Sequence, residues 1–200
     1  KIARVMLKDF DPATGTIATS DIWFATSGGI TFEATPEYKD FGEDIDNVPK
    51  NTMDFKIPDG WEVKISGTGV SIDKDSARLM AGTAEIVEQS GVSQIKPRRD
   101  LLATDFQDLW WVADYSEENS ETNGGMFAIK LLNALSTGGF KVTAEDKEKG
   151  KCDFEFMGHF TLDNADEPPY EIYIKEPTSN VQAQTKSVDV KPAEKAKAGK

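Results

Sequence analysis

Asp105-Phe-Gln-Asp-Leu-Trp-Trp-Val-Ala-Asp-Tyr115 is the segment from which the rest of the chain is best read. Side chains alternate faces along a strand, so Leu109, Trp111, Ala113 and Tyr115 fall on one side and Phe106, Trp110 and Val112 on the other. Apolar groups on both sides predict a strand covered on both faces. Further on, Cys152, Phe154, Phe156, Phe160 and Leu162 share one face of a second strand, opposite Asp153, Glu155, Met157, His159 and Thr161. That alternation predicts one dry aromatic face and one wet acidic face. Between the two strands, after a polar loop from Ser116 to Thr122, Asn123 is placed to cap a helix from Gly124 to Ser136. Phe127, Leu131, Ala134 and Leu135 recur at i, i+4, i+7 and i+8 to make one apolar stripe, and Gly138-Gly139 supply a stop. The expected core is this helix packed on a sheet.

A chain of 200 residues fits one domain, expected over 1–175. From Glu176 to Lys200 it is Pro, Ala, Lys, Gln, Thr and Ser with three valines, too little apolar surface to order itself, so 176–200 reads as a flexible tail. A single cysteine, Cys152, excludes an internal disulfide and a multi-thiolate metal site, and its place on the dry face makes it a buried hydrophobe. No apolar run approaches the ~18 residues that span a bilayer, and no signal-peptide core is visible. The expectation is a soluble chain from a reducing compartment with no membrane partner. Net charge is −12; the tail, with five lysines against three acids, carries +2, leaving −14 on the rest. A body that acidic is poorly suited to gripping nucleic acid, which needs clustered Lys and Arg.

Elsewhere, Ile17–Thr19, Asp21–Ala25 and Ile30-Phe32-Ala34 read as strand material around Gly28-Gly29. Thr35 to Asn51 reads as a long acidic loop with Phe41 and Ile45 available for docking. Trp61, Val63 and Ile65 share a strand face, and Gly67-Thr-Gly69 predicts a bulge or bend. Asp73 or Asp75 is placed to cap a short helix (76–81) ending at Gly82, Thr83–Val87 resumes a strand, and Tyr170, Ile172 and Ile174 alternate with Glu171, Tyr173 and Lys175 in a last one. The expected class is mainly β with a flanking α-helix, as two packed antiparallel sheets in a sandwich or barrel.

Residues suited to catalysis are scarce. The single histidine, His159, sits among acids on a predicted solvent face, and no nucleophile elbow, phosphate loop or histidine pair is present. The Asp9–Gly15 turn has its glycine one place late for a calcium loop and lacks the closing acid. Trp110 and Trp111 are adjacent, point to opposite faces and cannot form one stacking platform. The residues predict a non-enzymatic β-rich module with no cofactor and no metal.

Three segments in this order resemble one family. Trp61-Glu-Val-Lys-Ile-Ser-Gly-Thr-Gly-Val-Ser-Ile-Asp-Lys-Asp-Ser-Ala-Arg-Leu-Met-Ala-Gly82 is similar to the strand, short helix and glycine of bacteriophage tail tube (major tail) proteins of the siphophage and prophage type. Pro97-Arg-Arg-Asp-Leu-Leu-Ala-Thr-Asp-Phe-Gln-Asp-Leu-Trp-Trp-Val-Ala-Asp-Tyr-Ser116 resembles the same group, as does the closing Phe154-Glu-Phe-Met-Gly-His-Phe-Thr-Leu162. The resemblance spans residues 60–175. It implies a homo-oligomer of hexameric rings, one sheet of each subunit joining a continuous barrel. Rings stack into a tube on a tape-measure protein, between tail terminator and baseplate proteins, and viral DNA passes through without specific binding. The place implied is the virion tail, assembled in the host cytoplasm. On that footing Asp153, Glu155 and Glu171 are candidates to face the lumen, and Phe41, Asp44, Ile45 and Asp46 are candidates for ring stacking. Trp61, Trp110, Trp111, Phe127, Leu131, Phe154, Phe156 and Phe160 are candidates for core or interface. Rival readings are the tube of a contractile tail, tailocin or type VI secretion system, and a carbohydrate-binding β-sandwich, which would need coplanar exposed aromatics.

Overall fold

The computed structural model describes residues 5–70, 72–114, 125–144 and 150–176. Among these the chain forms β1 (Val5–Leu7), β2 (Ile22–Asp40), β3 (Lys56–Gly69), α1 (Lys74–Ala81), β4 (Ala84–Gln89) and β5 (Val92–Pro97). There follow β6 (Gln107–Asp114), β7 (Met126–Ser136), β8 (Lys141–Thr143), β9 (Lys151–Met157) and β10 (Tyr170–Lys175). Eight strands make one antiparallel sheet in the order β10-β7-β6-β1-β2-β3-β9-β8, and β4 and β5 pair separately as a hairpin. The end of β7 also pairs with β9 through Leu135–Met157 and Ser136–Phe156. Two residue pairs close this hydrogen-bonded circuit, so it folds as two facing sheet halves and not as a regular barrel.

The halves meet over one core. Leu109, Ile129 and Leu131 come from the β6–β7 side, Val63, Ile65, Phe154 and Phe156 from the β3–β9 side, and Leu79 and Met80 from α1. A second cluster lies on the outer side of β6 and β7, where Leu7, Trp110, Val112 and Ala128 are covered by Phe10. The two-faced character of the Trp segment is therefore real: Leu109 and Trp111 serve the first cluster, Trp110 and Val112 the second.

The predicted helix over 124–136 is a strand. Residues 115–124, including the expected cap Asn123, lie outside the described residues, and 126–136 form β7 between β6 and β10. Phe127, Ile129 and Leu131 face the first core at a spacing of two. Opposite the step from Gln107 to Leu109, β7 takes one extra residue, and Asn133 there has φ 48°. This bulge returns Ala134 to the side of Leu131 at a spacing of three, which imitates a helical stripe. The core is consequently sheet on sheet, and the short predicted helix is the one α-helix among the described residues. Asp73 caps α1: its carboxylate accepts from Ser76 N at 2.7 Å, and the Ser76 hydroxyl accepts from Asp73 N at 2.9 Å. Gly82, at φ 74°, ends it.

Other expectations also change. β9 buries Cys152, Phe154 and Phe156 as predicted but ends at Met157, so Phe160 is over a third exposed and Leu162 is 99 % exposed. His159 is half-buried, its ring edge-on to Phe106 at 5.2 Å and its Nδ1 3.1 Å from Asn133 O. Gly67 and Gly69 make no bulge, since β3 pairs with β9 in unbroken register across them. They leave room instead, because a Cβ would stand 2.9 Å from the Phe154 ring at Gly67 and from Cys152 Sγ at Gly69. The irregularity falls on β2, at Gly28-Gly29. The basic run 94–99, expected only to lead into the Trp segment, is partly strand β5, turned from β4 by Ser90-Gly91 with both φ positive.

Candidate assembly interface

β2 and β3 form one long ribbon. Their pairing runs from Thr26–Gly69 to Asp40–Lys56, well beyond the last β3–β9 pair at Lys64. The predicted loop from Thr35 to Asn51 is thus strand as far as Asp40, and only its distal part is a tip. Pro36 and Pro58 sit in this outer ribbon, tolerated because each strand there has an edge with no partner among the described residues; with Lys39 and Lys56 they also oppose unspecific edge pairing. The tip is an ordered turn. Asp40 accepts from Gly42 N at 2.8 Å and Asn51 N at 3.1 Å, Phe41 N donates to Phe55 O, and Ile45 N donates to Gly42 O.

Tyr38, Phe41, Ile45, Met53 and Ile57 are all exposed on this arm, Met53 at 82 %. Isolated exposed apolar residues are ordinary, but here Tyr38, opposite Pro58, and Ile57, opposite Lys39, leave the arm with exposed apolar groups on both of its faces as well as at its tip. Asp44 and Asp46 are exposed on the same tip, so the four stacking candidates are brought together. Tyr38, Met53 and Ile57 were missed; strand alternation continued through Pro36 would have flagged Tyr38.

The three lumen candidates are not brought together. Cys152, Phe154 and Phe156 point into the core, which leaves Asp153 and Glu155 on the outer face of the β2-β3-β9-β8 half. There they join Glu33, Glu62, Lys64 and Lys141. Asp153 is held by Lys141 at 2.9 Å and the Thr68 hydroxyl at 3.0 Å, and these contacts, Lys141 first, lower its pKa below the ordinary carboxylate value. Glu155 accepts from the Thr137 hydroxyl at 2.8 Å. Lys64 is raised chiefly by its hydrogen bond to Glu62; burial opposes this as the next largest effect, and the charges of Glu62, Glu155 and Glu33 add to the rise. Four acids against three lysines, Lys151 of β9 being the third, leave this face only slightly net negative and locally paired. Glu171 lies on β10, paired opposite Lys130 and bonded to Tyr173, on the Trp110 side of the other half.

Of the core or interface candidates, Trp110, Leu131, Phe154 and Phe156 are buried, whereas Trp61, Trp111 and Phe127 are half-buried against the first cluster. Phe160 belongs to neither cluster. With Trp23 also buried, no tryptophan offers the flat exposed platform that a sugar-binding face requires. Burial pushes the Cys152 thiol pKa up, as expected of a packing residue.

No protein-family model matches the chain, and no curated protein matches it. Among solved structures, a chain from the virion of a native gene transfer agent (GTA) particle is similar over 79 % of this chain and 92 % of its own length. The identity is 10 % and the TM-score 0.38, a likeness that carries no inference about function.

Proposed function

We propose that this chain is a structural subunit of a phage tail tube, assembling into rings that stack around a bore through which viral DNA passes. The observation that carries the reading is the β2–β3 arm, whose exposed apolar tip stands off a body that already has a complete core of its own. Exposed apolar surface of this kind is stabilised by covering it, and a second copy of the chain supplies a cover in any repeating assembly. Open edges point the same way. The eight-stranded sheet ends at β10 and β8, and β2 beyond Ile30 has no described partner on the side away from β3. Pairing between subunits satisfies such edges.

In this reading the outer face of the β2-β3-β9-β8 half lines the bore, with Asp153 and Glu155 among its acids and Glu171 away from it. A net negative wall repels phosphate and lets DNA slide. Negative-stain electron microscopy of the purified chain, with light scattering, tests the assembly: rings or hollow tubes are expected, and a strictly monomeric particle at every concentration counts against it. Replacing Asp153 and Glu155 with Lys tests the bore. Tubes should persist while DNA ejection slows, and unchanged ejection would remove this face from the lumen.

A further inference from the structure

β10 is the end strand of the large sheet, with β7 on one side and no partner among the described residues on the other. Ile172 and Ile174 pair opposite Ile129 and Phe127, so both stand on the side of the sheet that faces the first core. Ile129 is sealed there, whereas Ile172 is 48 % and Ile174 61 % exposed. The apolar face of the sheet thus reaches its rim uncovered.

Charge at the start of β10 is one-sided. The segment that leads into it, residues 158–169, presents exposed Asp163, Asp166 and Glu167 and contains no lysine or arginine. On β10 itself Glu171 is exposed and bonded to the Tyr173 hydroxyl, and Lys130 opposite it is held by Asp108 at 3.0 Å. Glu176 directly follows β10, and the sequence continues through 177–200. That stretch holds an apolar alternation, Val188-Asp-Val190, and then Lys191, Lys195, Lys197 and Lys200 against Glu194 alone.

We infer that residues 187–191 of the same chain turn back onto β10 as an added antiparallel strand, with the lysine-rich residues after them along the acidic 158–169 segment. In one register Val188 stands opposite Ile174, Val190 opposite Ile172 and Lys191 opposite Glu171. Directly opposed side chains share a face, so the valines cover the exposed isoleucines while the lysine meets the acid on the other side. Asp189 falls opposite Tyr173 with Lys175 and Glu171 at its diagonals, and Ser187 falls opposite Lys175. Residues 176–186 make the return, and Pro192 comes at the end of an edge strand, where it is tolerated. The other alternating pair, Val181 and Ala183, fits less well, setting alanine against Ile172 and Gln184 against Glu171. The added strand closes the β10 edge within the chain and leaves β8 and the outer edge of β2 to neighbouring copies.

Hydrogen exchange of the unassembled full chain tests this separately from any tube. Amides of 187–191 should be protected, and Val188→Asp with Val190→Asp should abolish that protection while β6 and β7 keep theirs. Lys191→Glu with Lys195→Glu should reduce it severalfold, and Val181→Asp should leave it unchanged. Exchange of 187–191 in the unaltered chain as fast as in an unstructured peptide would overturn the inference. Ile172→Cys with Val190→Cys, in a chain keeping the buried Cys152, should oxidise to a disulfide within one chain. Disulfide-linked dimers in its place would assign the edge to a second copy and overturn the inference as well, whatever the micrographs show of rings and tubes.

Discussion

The near and far halves of the β2–β3 ribbon share two strands and one ladder of hydrogen bonds, yet they meet different surroundings. In the near half, Val63 and Ile65 are sealed between the facing sheet halves, with Ile30 and Phe32 packed against the same core. In the far half, Tyr38 and Ile57 are exposed to water. Backbone pairing alone does not account for an ordered ribbon of this length, because an isolated two-stranded hairpin is marginal in water. The near half anchors the ribbon through its buried side chains, and the far half keeps an apolar surface that folding leaves uncovered. Apolar residues that stabilise the monomer and apolar residues that serve assembly can thus lie on the same strands.

The contrast is broken most severely from the near side. Phe156→Ala, which empties a fully buried site in the core beside Ile65 of β3, should cost about 3–5 kcal/mol in denaturant unfolding. A loss as small as that of a surface substitution would mean the facing halves are not packed as described. Arg98→Ala leaves the Asp105 carboxylate buried without its cation and should cost about 3 kcal/mol. Hydrogen exchange should then rise first in residues 98–105, and unchanged protection there would refute the pinning role of the pair.

Asp73→Ala removes the cap of α1 and should cost about 1 kcal/mol at neutral pH. Burial pushes the Asp73 carboxyl up, but the Ser76 amide and hydroxyl outweigh it, with Lys8 and the Asp75 amide contributing, and the net pKa is lowered. A lowered folded-state value means the stabilisation is present above the ordinary carboxylate pKa and is lost as pH falls through the folded value. The wild-type and Asp73→Ala unfolding curves should therefore converge in acid, and a pH-independent gap would contradict the cap. The smallest stability effect is expected on the far half: Ile45→Asp should change unfolding of the unassembled chain by no more than about 0.5 kcal/mol. It should nevertheless prevent ring stacking in micrographs, and a destabilised monomer would show instead that the tip belongs to the fold.

Much of this was legible where residues act locally. Alternation over Cys152–Phe156 identified the buried face of β9, the two-faced Trp segment identified a strand covered on both sides, and Gly82 marked the end of α1, its cap narrowed to Asp73 or Asp75. Phe41 and Ile45 are conspicuous in an acidic stretch, and the structure exposes both at the arm tip, although the strand beneath them was missed. Glu171 lies on the other sheet half from Asp153 and Glu155, because an acid on an alternating strand reveals a wet face without revealing which sheet half it covers.

By itself, then, the sequence determined the mainly β class, the inward face of β9 and the glycine that ends the short helix, with its cap narrowed to Asp73 or Asp75. These depend on periods of two, on caps and on glycines, which neighbours along the chain decide. Only the tertiary structure decided that 126–136 is a strand, since a bulge at Asn133 gives a strand the spacing of a helix and pairing with β6 and β10 selects between them. It alone decided that β7 meets β9, that the ribbon outruns the body, and that Arg98 reaches Asp105. Those are contacts between residues distant in sequence or set by a turn, and no local periodicity encodes which distant surface will be there to meet them.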